Sequence, residues 1–205
     1  MLLLSWLGVF NLLAKGQVKA FDSLVYLTNQ QTIAMNKNLS THLSYKEAVR
    51  SNTAIRQGID NNPTCDQLVV MKNLAENFFE KLRSEMSTDV SIKVNSFYRS
   101  KELNTLIGGS SRSDHMVASD VAAIDLDDTY SQKYGIYNRH IFLYILENMD
   151  YYKLIWEYED DPTPEGKASP RWVHVSYSTD PKKNRKKITL FTKGNGYLTF
   201  NKNLI

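Results

Sequence analysis

Two stretches of this chain put polar, metal-capable side chains inside segments otherwise suited to burial. The first runs from Ser113-Asp114-His115 to Asp125, and its end, Val121 to Leu126, reads as a buried strand. The second is Trp172-Val173-His174-Val175-Ser176, a strand pattern with a histidine at its centre. Between them Ile155-Trp156-Glu157 sets one acid at the end of an apolar strand. Two imidazoles and one carboxylate can hold a zinc ion with one coordination position open. A glutamate nearby can then accept a proton from water.

Composition permits such a fold. The 205 residues are 42% hydrophobic and 23% charged, as in an ordinary globular protein, and fit one domain with extensions or two small ones. The net charge of +3 does not by itself imply a nucleic-acid partner. The single cysteine, Cys65, excludes an intrachain disulfide, so core burial and any bound metal must supply stability. Leu2 to Leu13 is apolar apart from Ser5 and Asn11, but is shorter than the ~20 residues a stable membrane span needs. Residues 1–20 are a possible signal peptide, with Val18-Lys19-Ala20 as a small-residue cleavage site, although no Lys or Arg precedes the apolar run. The alternatives are a helix packed on the domain and a poorly fixed terminus.

Residues 1–42 therefore read as an apolar segment and connector. Ser44 with Glu47 forms a capping-box pattern, and predicts a short helix ending near Gly58. Asn61-Asn62-Pro63 is a turn. Thr64 with Gln67 forms a second box, after which Leu68, Met71, Leu74, Phe78 and Leu82 mark one face of a helix running to about Met86. Val90, Ile92 and Val94 alternate as a half-buried strand, and a helix from Ser100 stops at Gly108-Gly109. Phe142, Ile145, Leu146 and Met149 are the inner face of another helix, with His140 on its exposed side. Lys153–Tyr158 and Trp172–Tyr177 are strands, separated by an acidic turn over 159–164. A basic cluster, Lys182 to Lys187, precedes a terminal hairpin, Ile188–Phe191 and Tyr197–Phe200. We read the cluster as a solvated face, since no aromatic stacking platform accompanies it. Helices and strands without regular alternation indicate an α+β domain over 43–180, with residues 181–205 as a basic segment and hairpin.

Ser96-Phe97-Tyr98-Arg99-Ser100 with Glu102-Leu103-Asn104 resembles the S-x-Y-R-S-x-E-L-N signature of zinc D-Ala-D-Ala carboxypeptidases (subfamily A of metallopeptidase family fifteen). That group is related to phage L-alanyl-D-glutamate endolysins and to the hedgehog-like fold. Ser51 to Arg56 through Gly58-Ile59-Asp60-Asn61, Gly108-Gly109-Ser110, Leu154 to Glu157 and Trp172 to Ser176 extend the likeness across roughly residues 43–177. The resemblance implies a small antiparallel sheet with flanking helices, and one zinc ion ligated by His115, His174 and an aspartate. It further implies Glu157 as general base, and Arg99 as the group that holds substrate or steadies charge on the scissile carbonyl. Ser113 and Tyr98 would lie near the substrate. The implied substrate is a peptidoglycan stem peptide, cut by a carboxypeptidase or endopeptidase that is exported, periplasmic, or phage-encoded as a lysin.

The chain departs from the family pattern S-x-H-x-x-G-x-A-x-D. Ala118 stands at the glycine and Ala122 at the aspartate, while Ala123-Ile124-Asp125-Leu126 reproduces the motif's end three residues late. We infer a three-residue insertion with Asp125 as third ligand; a loop absorbs that for well under ~1 kcal/mol. Asp120 and Asp127 are the rival carboxylates, and Asp127 shares a strand face with Asp125. A non-catalytic, zinc-stabilised wall-binding or structural module is the competing reading. Retention of Glu157 argues against it, because a purely structural zinc site needs no base.

Overall fold

The computed structural model describes residues 38–86, 90–159, 162–193 and 196–204. The possible signal peptide, most of the connector, Asp160-Asp161 of the acidic turn and the Gly194-Asn195 turn lie outside the described residues. The described residues fall within one compact unit.

The first helix expected from sequence is two. Ser44 accepts a hydrogen bond from Glu47 N and opens α1 (Tyr45–Ala48); Ser51 accepts one from Ala54 N and opens α2 (Asn52–Gln57), closed by left-handed Gly58. A second serine cap at Ser51 competes with continuation of α1. The reciprocal Thr64–Gln67 box is present and starts α3 (Cys65–Leu74). This helix passes through a π-turn (Ala75–Phe79) into α4 (Glu80–Met86). The wider turn lets adjacent Phe78 and Phe79 both face inward, and Leu68, Met71, Leu74, Phe78 and Leu82 are all buried. The other helices are α5 (Lys101–Leu106), α6 (Asn138–Asn148) and a short α7 (Pro181–Asn184) that forms within the basic cluster. In α6 the buried face includes Ile141 with Phe142 and Ile145, whereas Leu146 and Met149 are only half-buried.

The fold is α+β, built on one six-stranded sheet in the order β1-β2-β4-β3-β5-β6. The strands are β1 (Lys93–Ser96), β2 (Val121–Asp127), β3 (Lys153–Glu159), β4 (Pro170–Ser178), β5 (Ile188–Lys193) and β6 (Gly196–Thr199). β1 begins later than the Val90–Val94 alternation suggests, although Val90 and Ile92 are buried. The sheet is mixed: β3 and β5 are parallel, and every other neighbouring pair is antiparallel. The basic segment is therefore part of the same sheet, with β5 hydrogen-bonded beside β3.

Alternation along the strands separates the sheet into a core face and a polar face. Ile124 and Leu126 of β2, Leu154 and Trp156 of β3, and Val173 and Val175 of β4 are fully buried. Each such side chain contributes about 1.5–3 kcal/mol by leaving water. The helices cover this face, where Phe78 meets Tyr177 and Phe142 meets Trp156 edge-on at 5.1 Å. The opposite face carries Asp125, Lys153, Ile155, Glu157, Trp172, His174 and Leu190, which line one cleft of about 580 Å³.

Candidate metal centre

The cleft's three closest polar groups come from different parts of the chain. Asp125 and His174 are directly opposed across β2 and β4, and His174 Nδ1 lies 2.8 Å from Asp125 Oδ1. His115 arrives from a single 3-10 turn, Asp114–Met116, with its Nε2 3.2 Å from the same oxygen. All three residues are buried, and one ligand atom from each lies within 4.8 Å of the others. Among the described residues this is the one group of three or more such side chains close enough to hold a metal ion.

The proton inventory fits a cation. His115 Nδ1 lies 2.6 Å from the Phe97 carbonyl, which can only accept, so that nitrogen carries the proton. Burial lowers the His115 pKa and favours the neutral ring, leaving a lone pair on Nε2. Burial acts to raise the Asp125 carboxyl, but positive charge shared with the facing His115 and His174 rings outweighs it and holds the carboxyl well below the usual range. Two lone pairs therefore face each other between His115 Nε2 and Asp125 Oδ1, an arrangement that a shared cation relieves. The second oxygen, Asp125 Oδ2, accepts from Arg99 Nη2 at 2.9 Å, while Arg99 Nε donates to Ser96 Oγ at 2.9 Å. Outer partners of this kind fix the geometry of a ligating carboxylate.

Asn61 sets the backbone around Arg99. Its amide donates to the carbonyls of Val49 and Tyr98 and its oxygen accepts from Ser100 N, at 2.8, 3.2 and 2.7 Å. The motif Asn61-Asn62 read only as a turn in the sequence, because the partners of Asn61 lie up to 39 residues away. Gly109 also lines the cleft and packs against Asn104, where an added Cβ would collide with the Asn104 Oδ1. This close approach explains the glycine better than its expected helix-ending role, which falls to left-handed Gly108.

Glu157 enters the same cleft from β3 and is buried. Thr192 Oγ1 donates to Glu157 Oε2 at 2.8 Å, and the Tyr197 hydroxyl reaches Glu157 Oε1 at 3.4 Å. Burial pushes the Glu157 carboxyl above the usual range, with the Thr192 hydrogen bond acting to lower it. Burial and the neighbouring Glu157 charge push the Tyr197 phenol up to about 12. Tyr158, immediately after Glu157, has φ of 55°, strained for a non-glycine residue, and its ring packs on Trp172. Thr192 and Tyr197 carry no local signal in the sequence; only the β3–β5 and β5–β6 pairings bring them to Glu157.

The other expected site residues fall in different places. Ser113 lines the cleft. Tyr98 does not: its hydroxyl contacts Gln67 and its ring borders a separate hollow with Arg50, Lys93 and Asn95. Asp120 is paired with Lys183 and Ser178, and Asp127 with Asn95, Thr129 and Lys93, so neither rival carboxylate reaches the histidines. The altered motif position Ala118 needs no glycine here, because the left-handed residue of this loop is Val117, at φ of 50°.

Residues 41–141 match the family model described as Peptidase M15. The chain belongs to the peptidase M15 family. The matched segment contains Arg99, His115 and Asp125, whereas Glu157 and His174 lie beyond it and join them only through the sheet. M15 peptidases are zinc-dependent metallopeptidases acting on peptides, and the buried His115–Asp125–His174 group of this M15 chain can bind a metal ion. No curated protein matches the chain. No helix among the described residues is long and apolar enough to cross a membrane.

Proposed function

We propose that this M15 peptidase hydrolyses peptide bonds in peptidoglycan stem peptides, with a single zinc ion held by His115, Asp125 and His174. The reading rests above all on the convergence of those three buried side chains in a cleft that also holds Glu157. Zinc bound there would polarise the scissile carbonyl and lower the pKa of water toward ~7.

The residues of the chain then have distinct tasks. Glu157 accepts a proton from the attacking water as its oxygen bonds to the carbonyl carbon. The same carboxyl returns that proton to the amine nitrogen as the C–N bond breaks. Its raised pKa suits it to both transfers, and Thr192 keeps one carboxylate oxygen oriented. Arg99 locks Asp125 in place and adds positive charge at the cleft wall, where charge develops on the carbonyl oxygen. Arg112 also lines the cleft and suits a substrate bearing a carboxylate. The motif likeness to D-Ala-D-Ala carboxypeptidases favours a terminal D-Ala-D-Ala bond, in a wall-acting or phage-lysin setting.

The test is mass spectrometry of a synthetic stem pentapeptide incubated with zinc-loaded protein. Release of the terminal D-alanine, blocked by chelator and restored by zinc, is the expected result. Cleavage inside the peptide would make the protein an endopeptidase, and hydrolysis indifferent to chelator would defeat the scheme.

A further inference from the structure

One wall of the metal cleft also borders a second hollow, of about 500 Å³, to which the proposed hydrolysis gives no task. Arg99 and exposed Ile107 line both, so the two spaces adjoin across these side chains. All four residues of β1, Lys93 to Ser96, line the hollow. Side chains alternate along a strand, so a space bordered by four in succession lies against the strand's margin rather than one face. Among the described residues β1 is the edge of the sheet and pairs only with β2, which leaves its outer backbone groups for an extended peptide.

The hollow offers charge of both signs. Lys93 is paired with Asp127 and Arg99 with Asp125. Exposed Arg50 and half-buried Glu47, three residues apart at the end of α1, form no ion pair with each other or with any other described residue. A ligand of one charge satisfies one of them; a group ending in both an ammonium and a carboxylate satisfies both. Stem peptides carry a diamino acid as third residue, immediately before D-Ala-D-Ala. Its side chain ends either in an ammonium and a carboxylate together (diaminopimelate) or in an ammonium alone (lysine). We propose that the hollow takes the side chain of this third residue, and that Arg50 and Glu47 select the zwitterionic end over lysine. The inference rests on the stem-peptide reading of the metal centre. With the D-Ala-D-Ala bond held there, the third residue stands one residue, at most ~3.6 Å of chain, before the D-alanine that is cut. That is within reach of the adjoining hollow.

The test is isothermal titration calorimetry on full-length Glu157→Gln with zinc supplied, which separates binding from turnover. Two synthetic stem pentapeptides are compared, with meso-diaminopimelate or L-lysine as third residue, and wild-type kcat/KM is measured on both. The diaminopimelate peptide is expected to bind about 10-fold more tightly or better, the worth of one charge-assisted hydrogen bond. Arg50→Ala in the same background is expected to erase the preference by weakening that peptide alone. Glu47→Gln weakens both, since both carry the ammonium. Equal binding of the two peptides, binding of neither, or a preference that survives Arg50→Ala overturns the proposal. Arg50 is exposed, so this arm decides the matter even where Glu47→Gln fails to fold. An Arg50-dependent preference without hydrolysis of either peptide by the wild type upholds the hollow and defeats the proposed reaction. Hydrolysis of both peptides with equal kcat/KM upholds the reaction and defeats the hollow.

Discussion

Thr192 Oγ1 donates a 2.8 Å hydrogen bond to Glu157 Oε2, joining the terminal hairpin to the acid that we propose as the base. The contact crosses from β5 to β3, so the last part of the chain forms one wall of the cleft. Because this bond lowers the Glu157 pKa, its loss moves that pKa further upward. Thr192→Val is therefore expected to shift the acid limb of the kcat/KM profile to higher pH and to lower the rate near neutrality several-fold. A pH–rate profile of both proteins on the stem peptide checks this.

Glu157→Gln and His115→Ala separate chemistry from metal binding. The first is expected to retain zinc while losing about 10²–10⁴-fold in kcat, the range for a general base. The second loses both. Metal content by elemental analysis, set beside turnover, checks the pair; normal hydrolysis by Glu157→Gln would show that the base is misassigned.

The raised Glu157 pKa also has a sign for stability in the metal-free protein. The folded state holds this proton more tightly than the unfolded chain, so its contribution is greatest below the unfolded pKa of about 4.3 and is lost as pH rises through the folded value. At neutral pH the ionised carboxylate is a buried cost. Glu157→Gln is thus expected to raise the melting temperature of the metal-free protein at pH 7 and to have little effect at pH 4, as thermal denaturation at the two pH values would reveal.

Zinc that binds only the folded chain stabilises it by mass action, about 2.7 kcal/mol at a hundredfold excess over Kd. For a domain of this size that corresponds to roughly 5–10 °C in melting temperature. Differential scanning calorimetry with and without chelator tests the shift, and His174→Ala is expected to abolish it.

Asn61→Ala removes three hydrogen bonds from the backbone beside α1 and on both sides of Arg99. The expected cost is about 1–3 kcal/mol in urea denaturation. A fall in kcat is expected with it, since Arg99 is no longer held against Asp125.

The residues that announce themselves in the sequence are those inside local motifs. His115, His174 and Glu157 stand out because each interrupts an apolar strand pattern or adjoins one, and Asp125 because it closes a recognisable A-x-D end. The Thr64 cap and the Leu68–Leu82 periodicity are likewise properties of one helix. What stays hidden depends on pairing between distant segments. Thr192, Tyr197 and Asn61 acquire meaning only through contacts 35 to 40 residues apart. The Asp114–Ser176 contact spans 62. The break between α1 and α2 was obscured for a different reason: two serine caps in close succession look like one helix start followed by a polar helical residue.

Asp125 sits between Ile124 and Leu126 on β2, one pointing into the polar cleft and its two neighbours into the oil beneath. Slipping that strand by a single residue would trade a carboxylate for a leucine on both surfaces at once. Evolutionary changes of length are consequently tolerable in the stretch from Val117 to Asp120, ahead of the strand, and ruinous within it. The spacing between the first histidine and its acid is therefore free to drift among relatives, provided the drift stops where the hydrogen-bonded ladder begins.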